Sequence, residues 1–300
     1  MQATCPRTGV LSLVGTPIGN LQDASPRVLD TLRAADVLLC EDTRVTSKLL
    51  GRFDIHVSLE RCDENVIARR VEGVMARVAA GQRVAFVSDA GMPGVSDPGQ
   101  RLVDAALDEG LTVEVIPGPS AVTCALVASG LAMEHFFFEG FLPRKAGERA
   151  RRLAALAGVP GALVIYESPH RAQATLDSIA ETYPTRRVAL VRELTKLHEE
   201  CVRDVAPELA RRIREREALR GECVIVVEGP SEEELVARTT PVAGMAASAP
   251  GGATTPEDAI REGLAAGTPK SALAKQVGKA FGLGRSEAYD LVVELSRELG

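Results

Sequence analysis

Short apolar runs alternate with helix-patterned segments along the first 130 residues, and this alternation constrains the fold more than any other feature. Strands are predicted at residues 10–15, 36–40, 83–88 and 112–116. Between them, residues 64–80 place apolar side chains at helical spacing, and Gly81 ends that segment. Strands that alternate with helices are typical of a mostly parallel sheet covered by helices.

The alternation begins again near residue 135. Further strands are predicted at residues 135–139, 161–166, 186–192 and 222–228, with helices at 147–156, 171–181 and 207–220. We therefore expect an α/β class of fold with two domains. The N-terminal α/β domain would cover residues 1–130, and the second α/β domain residues 131–229.

The chain changes character after the second predicted domain. Residues 230–256 are rich in Pro, Gly, Ser, Thr and Ala, which is typical of a flexible linker. Residues 257–300 are predicted to form a small helical domain, with helices at 259–265, 271–281 and 286–299. A glycine-rich turn at 282–284 separates the last two, so this appendage is expected to resemble a helix-turn-helix.

Three loops rich in Gly and Pro follow predicted strands, at residues 15–20, 88–99 and 116–121. Ligands of open parallel sheets bind at the carboxyl ends of strands. The third loop opens a predicted helix, whose free amides suit a carboxylate or a phosphate. No loop carries a Walker lysine or a Gly-x-Gly-x-x-Gly pattern. The loops indicate a nucleoside-like ligand, with purely structural turns as the alternative.

Composition narrows the classes of partner. The formal net charge is −6, which argues against a general polyanion binder, and aromatic residues make up only 3%, so a base-stacking sheet is not expected. There is no apolar run of membrane-spanning length and no secretory signal pattern, and the six cysteines are scattered. We expect a cytoplasmic protein without a membrane partner. The four histidines show no metal-ligand spacing, so no metal site is predicted.

One local segment departs from the acidic balance. Residues 142–152 contain five basic side chains in eleven positions. Arg144 and Lys145 precede the predicted helix, and a basic loop of this kind favours contact with RNA phosphates. For residues 149–152, a solvated helix face is an equally good interpretation. Arg171 is a further candidate for RNA contact.

Eight blocks of this sequence together resemble the tetrapyrrole-methylase superfamily, and within it the branch that methylates small-subunit ribosomal RNA. The blocks are GTPIGNLQDASPRVLDTL (15–32), CEDTR (40–44), SDAGMPGVSDPG (88–99), PGPSA (117–121), GFLPRK (140–145), YESPHR (166–171), RELTKLHEE (192–200) and GECVIVVEG (221–229). The resemblance implies the two-domain fold of that superfamily, S-adenosyl-L-methionine in the cleft between the domains, and a homodimer. It also implies methylation of a cytidine 2′-hydroxyl in the decoding region of 16S ribosomal RNA.

The resemblance suggests which residues form the site. The cofactor contacts it implies are Pro17, Asp89, Met92, Ser120, Ala121, Ser168 and Leu194. A ribose hydroxyl is a poor nucleophile, so a general base would assist its methylation. Candidates for that base are Glu41, Asp42, Glu167, Glu193 and His170. Each of these carboxylates has an alternative structural role as the partner of Arg44, Arg171 or Arg192.

Two other functions remain open at this stage. A tetrapyrrole methylase of the same fold would need neither the basic loop nor the C-terminal appendage. A DNA-binding regulator would act through the C-terminal helices, but residues 256–300 hold six Lys or Arg against seven Asp or Glu. We therefore expect 16S ribosomal RNA or the small ribosomal subunit as the partner, and no DNA.

Overall fold

The computed structural model describes residues 9–94, 99–131, 134–216, 218–239, 255–281 and 283–298. The chain divides into two compact units, one extending to Gly229 and the other beginning at Pro230. Within the described ranges, no helix combines the length and apolar character needed to cross a membrane.

The first sheet of the larger unit has five strands: β1 (Val10–Val14), β2 (Val37–Cys40), β3 (Ser58–Arg61), β4 (Arg83–Val87) and β5 (Val113–Ile116). Their order is β3-β2-β4-β1-β5, and all pairs are parallel, as the alternation predicted. The helices are α1 (Pro26–Ala34), α2 (Thr43–Arg52), α3 (Ile67–Ala79), α4 (Gly99–Asp108) and α5 (Ala121–Ser129). Strands β1 and β2 are buried along their whole length, which explains their apolar character; Ser12, the one polar residue of β1, donates a hydrogen bond to Glu114.

The second sheet also has five strands: β6 (Phe136–Phe141), β7 (Ala162–Glu167), β8 (Arg187–Arg192), β9 (Glu200–Val205) and β10 (Cys223–Val227). Their order is β6-β7-β10-β8-β9, and only the β6–β7 pair is parallel. The helices are α6 (Ala146–Leu156), α7 (Pro169–Thr182) and α8 (Ala206–Arg214). Helix α8 ends at Arg214, not at residue 220 as predicted, because charged residues occupy positions 214–217, where the next apolar residue of a helical face would fall.

Helix α5 joins the two sheets. It follows the last strand of the first sheet, and its Val122, Ala125 and Leu126 pack against apolar residues of the second sheet such as Val164 and Val226. One face of α5 packs on the second sheet, whereas Thr123 and Val127 on its other face are exposed. Its N-terminus therefore lies where the loops of both sheets meet.

The smaller unit is helical: α9 (Glu232–Thr239), α10 (Pro256–Ala265), α11 (Lys270–Phe281) and α12 (Arg285–Glu298). The last three enclose a core that includes Ile260, Leu273 and Val292. Helix α9 lies inside the segment predicted as a linker. Ser231 explains the difference, because its Oγ accepts a hydrogen bond from the Glu234 amide at 3.1 Å and so caps the helix. The remainder of the predicted linker, residues 240–254, lies outside the described residues.

Candidate active site

The three predicted loops converge at the carboxyl edge of the first sheet. Thr16 and Gly91 exchange two backbone hydrogen bonds, at 2.9 and 3.1 Å, which tie the first loop to the second. The amide of Gly118 lies 3.1 Å from the Sδ of Met92, which ties the second loop to the third. Three segments that are far apart in sequence therefore form one continuous wall.

Two glycines are required for this convergence. A Cβ on Gly15 would lie 2.6 Å from the Gly118 nitrogen, and a Cβ on Gly118 would lie 2.7–2.9 Å from backbone atoms of Gly15. Real Cβ atoms do not approach backbone this closely, so the first and third loops can touch only because neither residue has a side chain.

A cavity of about 340 Å³ opens between these loops and the second sheet. Four predicted cofactor residues line it: Met92, Ser120, Ala121 and Ser168. Two others, Pro17 and Asp89, are chain neighbours of the lining residues Ile18 and Ala90. The last, Leu194, is 9% exposed and packs in the apolar cluster with Ile18 and Ala121, behind the wall.

The cavity suits a nucleoside that carries a small carboxylate. Its volume is within the range of small-molecule sites, and glycine backbone and apolar side chains form much of the wall. The amides at the start of α5, beside Ser120 and Ala121, can face a carboxylate. These features fit S-adenosyl-L-methionine, which supplies a methyl group on a positively charged sulfur when it is bound.

Glu41, Asp42 and Asp89 form a reciprocal link between two loops. The Asp42 amide donates to Asp89 Oδ1 at 3.0 Å, and the Asp89 amide lies 3.3 Å from Glu41 Oε1. Asp42 also caps α2 and binds the Arg44 guanidinium through both oxygens. Hydrogen bonds from Arg44 lower the pKa of Asp42 to about 2. Asp42, one of the candidate bases, is therefore paired with Arg44, and this pairing was its alternative structural role.

Glu167 lines the cavity, yet its side chain is completely inaccessible to solvent. It accepts hydrogen bonds from the Ser168 amide at 2.9 Å and from Thr175 Oγ1 at 2.6 Å. Arg171 Nη2 lies 3.3 Å from the second carboxylate oxygen. Both oxygens are therefore engaged with donors, which favours a positioning role for Glu167 over proton transfer.

Arg171 links the cavity wall to the basic loop at residues 142–145. Its Nη2 donates to the Leu142 carbonyl at 2.7 Å, and its side chain is 26% exposed. Arg149, only 7% exposed, donates to the Arg144 carbonyl at 3.2 Å and to Ser178 Oγ at 2.9 Å. Two arginines thus hold the loop backbone. Arg171, which the sequence placed at the RNA surface, has this contact within the protein.

Some of the five basic side chains at residues 142–152 are engaged by other groups of the protein and are therefore not available to an anionic ligand. Arg144 and Lys145 are exposed, and Lys145 has a single surface pairing with Glu148 at 3.2 Å. Arg152 is bound to both oxygens of Glu139, at 2.6 and 2.7 Å. Since Arg149 and Arg152 have partners inside the protein, the cations best placed for an anionic ligand are those of the loop.

Glu193 and Glu222 meet at the second-sheet side of the cavity, where Glu193 adopts a positive φ of 51°. Lys196 Nζ bridges the two carboxylates, at 2.8 and 2.7 Å. The hydrogen bond from Lys196 lowers the pKa of Glu193. Burial lowers the pKa of Lys196, but its bonds to the two carboxylates outweigh that effect and raise it. Glu193 is therefore an anion held by a neighbouring cation.

Sequence reasoning missed Glu222 as a site residue. It lines the cavity, and its side chain is 75% exposed. Its only signal was its place in the block at residues 221–229. The neighbouring Cys223 also lines the cavity, and burial raises the pKa of its thiol to about 11, so it is not a nucleophile at neutral pH.

The sequence model of the family Tetrapyrrole (Corrin/Porphyrin) Methylases matches residues 10–210 of this chain. The chain belongs to this family. Tetrapyrrole methylases of known structure share its fold: the cobalt precorrin-4 methyltransferase CbiF has a TM-score of 0.57 at 17% identity, over 76% of this chain and 98% of its own. The methyltransferase CobJ has a TM-score of 0.56 at 19% identity, over 74% and 94%.

Closer relatives in sequence carry the name ribosomal RNA small subunit methyltransferase I. The protein of Mesorhizobium japonicum is 40% identical over 98% of this chain and 95% of its own length. That of Streptococcus pyogenes serotype M3 is 39% identical over 94% of both. The relative from Thermotoga maritima is 42% identical over 74% of this chain and 99% of its own. This tetrapyrrole methylase is thus an S-adenosyl-L-methionine-dependent methyltransferase of that group.

Within the part of the chain that the structure describes, no three His, Cys, Asp or Glu side chains cluster as metal ligands. The cavity wall combines apolar side chains and glycine backbone with the two carboxylates Glu167 and Glu222.

Proposed function

We propose that this methyltransferase modifies the 2′-hydroxyl of a cytidine ribose in 16S ribosomal RNA. The observation that carries the proposal is the exposed loop of Arg144 and Lys145, which follows the cavity-lining Phe141. The phosphates of an RNA strand require local positive charge of this kind. The relatives named for ribosomal RNA methylation support the same substrate.

The protein's contribution to such a reaction is mainly positional. Because a sulfonium methyl group is already activated, a rate gain comes from holding the acceptor oxygen in line with it. Met92, Ser120 and Ala121 would hold the donor, with Pro17, Asp89, Ser168 and Leu194 as supporting residues. The basic loop would bind the phosphates beside the target ribose and so bring its hydroxyl to the cavity.

The proposal includes the candidate bases. Glu167 is engaged on both oxygens, and we assign it to positioning Arg171. Glu41, Asp42 and Glu193 are also fixed by donors in the protein. His170 follows Pro169 in the first turn of α7, next to the cavity wall. The hydroxyl proton must leave when the oxygen is methylated, and one of these groups or a water molecule would accept it.

Transfer of a labelled methyl group distinguishes the proposed substrate from a tetrapyrrole. We expect label from S-adenosyl-L-methionine to appear in small-subunit ribosomal RNA, either free or in the assembled subunit, and not in uroporphyrinogen III. Transfer to the tetrapyrrole without transfer to RNA would refute the proposal. Calorimetry of cofactor binding is the control, because it identifies a protein that transfers label to neither substrate for lack of bound cofactor.

Replacing both loop cations tests the RNA contact. Arg144→Ala with Lys145→Ala should weaken binding to small-subunit ribosomal RNA, while cofactor affinity is unchanged. The slope of the logarithm of the binding constant against the logarithm of the salt concentration should become shallower by roughly two, because two phosphate contacts are lost. Arg27→Ala with Arg69→Ala removes the same charge from exposed positions on α1 and α3 and serves as the control. Equal salt slopes for both double variants would contradict the assignment.

The proposal also covers assembly. We expect a homodimer, because the resemblance to the ribosomal RNA branch of the superfamily implies one, and no DNA as a partner. Light scattering of the full chain measures the oligomeric state, and a monomer at micromolar concentration would refute this part alone.

A further inference from the structure

The smaller unit contains a groove that the proposed reaction does not use. The groove lies between α11 and α12 and has a volume of about 930 Å³. Ala274, Gly278 and Leu283 line it with small or apolar groups. At Gly278 helix α11 lies close to the following turn, because a Cβ there would be 3.2 Å from the Leu283 carbonyl oxygen.

Among the residues that the structure describes, the groove is lined by one lysine and by no acidic side chain, although the unit as a whole holds slightly more acidic than basic residues. Helix α11 contains three lysines and neither Asp nor Glu, and Lys275 lines the groove. The acidic residues Asp290 and Glu294 of α12 line a different depression together with Arg297. Glu287 accepts a hydrogen bond from the Gly284 amide at 3.2 Å, which holds its carboxylate at the turn. The described acidic side chains of α12 thus do not line the groove with Lys275.

An exposed aromatic ring lines the same groove as this lysine. Tyr289 lines the groove and is 46% exposed. Residues 230–300 contain one other aromatic, Phe281, which packs against the core of the unit. An accessible ring next to a cation and an apolar floor is the combination that binds single-stranded nucleic acid, where bases stack on aromatic rings and cations follow the phosphates.

We propose that this groove binds a single-stranded segment of the substrate RNA, with a base stacked on Tyr289 and a phosphate beside Lys275. Ser271 and Ser286, which also line the groove, offer hydroxyl groups to the sugar or the phosphate. The inference rests on the proposed function, since it takes ribosomal RNA as the substrate. Duplex DNA fits less well, because the helix after the turn carries acidic residues where a recognition helix contacts bases.

The groove would increase the affinity for RNA and would take no part in methyl transfer. The Thermotoga maritima relative is matched over 99% of its length by 74% of this chain. The larger unit alone extends to Gly229, so a chain of that length has no room for a second unit of this size. A relative with the same name can therefore lack the appendage, which agrees with an accessory role in RNA binding.

Binding of the full chain to protein-free small-subunit ribosomal RNA tests the inference across a range of salt concentrations. Tyr289→Ala should weaken binding roughly tenfold, and Lys275→Ala should make the salt slope shallower by about one. Tyr289→Phe and Lys275→Arg preserve stacking and charge and should bind like the wild type. Arg297→Ala removes a cation from the acidic depression and is the matched control.

The outcomes separate this inference from the proposed function. If Arg144→Ala with Lys145→Ala weakens binding while the groove variants do not, the groove inference is overturned and the proposed function stands. If none of the variants changes RNA binding, both fail. If the groove variants alter the oligomeric state instead of RNA affinity, the groove holds a second copy of the chain and the inference is likewise overturned. Unchanged thermal midpoints exclude loss of folding as the cause.

Discussion

Gly118→Ala should weaken binding of S-adenosyl-L-methionine on the order of 100-fold, measured by calorimetry. The added methyl group would lie within 2.9 Å of three backbone atoms of Gly15, so one of the two loops must move. A flexible side chain could rotate away, but backbone cannot. Because Gly118 also contacts Met92 and precedes the start of α5, its displacement changes three parts of the cavity wall at once.

Gly73→Ala is the control for this substitution. Gly73 lies on the exposed side of α3, and nothing is within 4 Å of its added Cβ. Alanine there should leave cofactor affinity unchanged and stabilise the protein by roughly 0.5–1 kcal/mol, since glycine is unfavourable inside helices. If Gly118→Ala binds the cofactor as tightly as Gly73→Ala does, the three loops do not form the cofactor site.

Glu167→Gln should lower the free energy of unfolding by about 3 kcal/mol, at the low end of the range for breaking a buried pair. Its carboxylate is inaccessible to solvent, and the change leaves the Arg171 guanidinium without an anionic partner. Since Arg171 also binds the Leu142 carbonyl, the basic loop should loosen as well. RNA affinity should therefore fall, although no contact of Glu167 with RNA is proposed.

Chemical denaturation and RNA binding measure the two effects of Glu167→Gln. Glu64→Gln removes a surface pair with Arg101 and should leave the unfolding midpoint close to that of the wild type. An enzyme with Glu167→Gln that is as stable as the wild type, binds both ligands and yet fails to transfer methyl groups would contradict the positioning role. That result would return Glu167 to the role of general base.

Strands that are buried on both faces were predicted correctly from sequence. Strands β1 and β10 are mostly apolar, and every residue of both is buried, Ser12 of β1 included. Strand β9 was missed at a sheet edge, where only Val202 among its six residues is buried. Strand β3 was missed at the edge of the first sheet, and none of its four residues is buried. The sequences of these two strands, ECVRDV and SLER, lack the apolar pattern by which the other edge strands, β5 and β6, were predicted.

The candidate site was also predictable only in part. Convergence of the three loops was predictable, because parallel strands bring their carboxyl ends to one edge. The partners of individual carboxylates were harder to predict from the sequence. The link of Asp89 to Asp42 spans 47 positions, and that of Glu193 to Glu222 spans 29. The ion pairs of Glu167 with Arg171 and of Asp42 with Arg44, four and two positions apart, were visible as alternatives from the sequence.

The central claim is that the acceptor is a cytidine 2′-oxygen in 16S ribosomal RNA. The direct measurement is mass spectrometry of nucleosides from small-subunit ribosomal RNA that has been incubated with the purified protein and S-adenosyl-L-methionine. We predict the appearance of 2′-O-methylcytidine, and its absence when the target carries 2′-deoxycytidine. A methyl group on a base, or methylation of the deoxy substrate at the same site, would contradict the account.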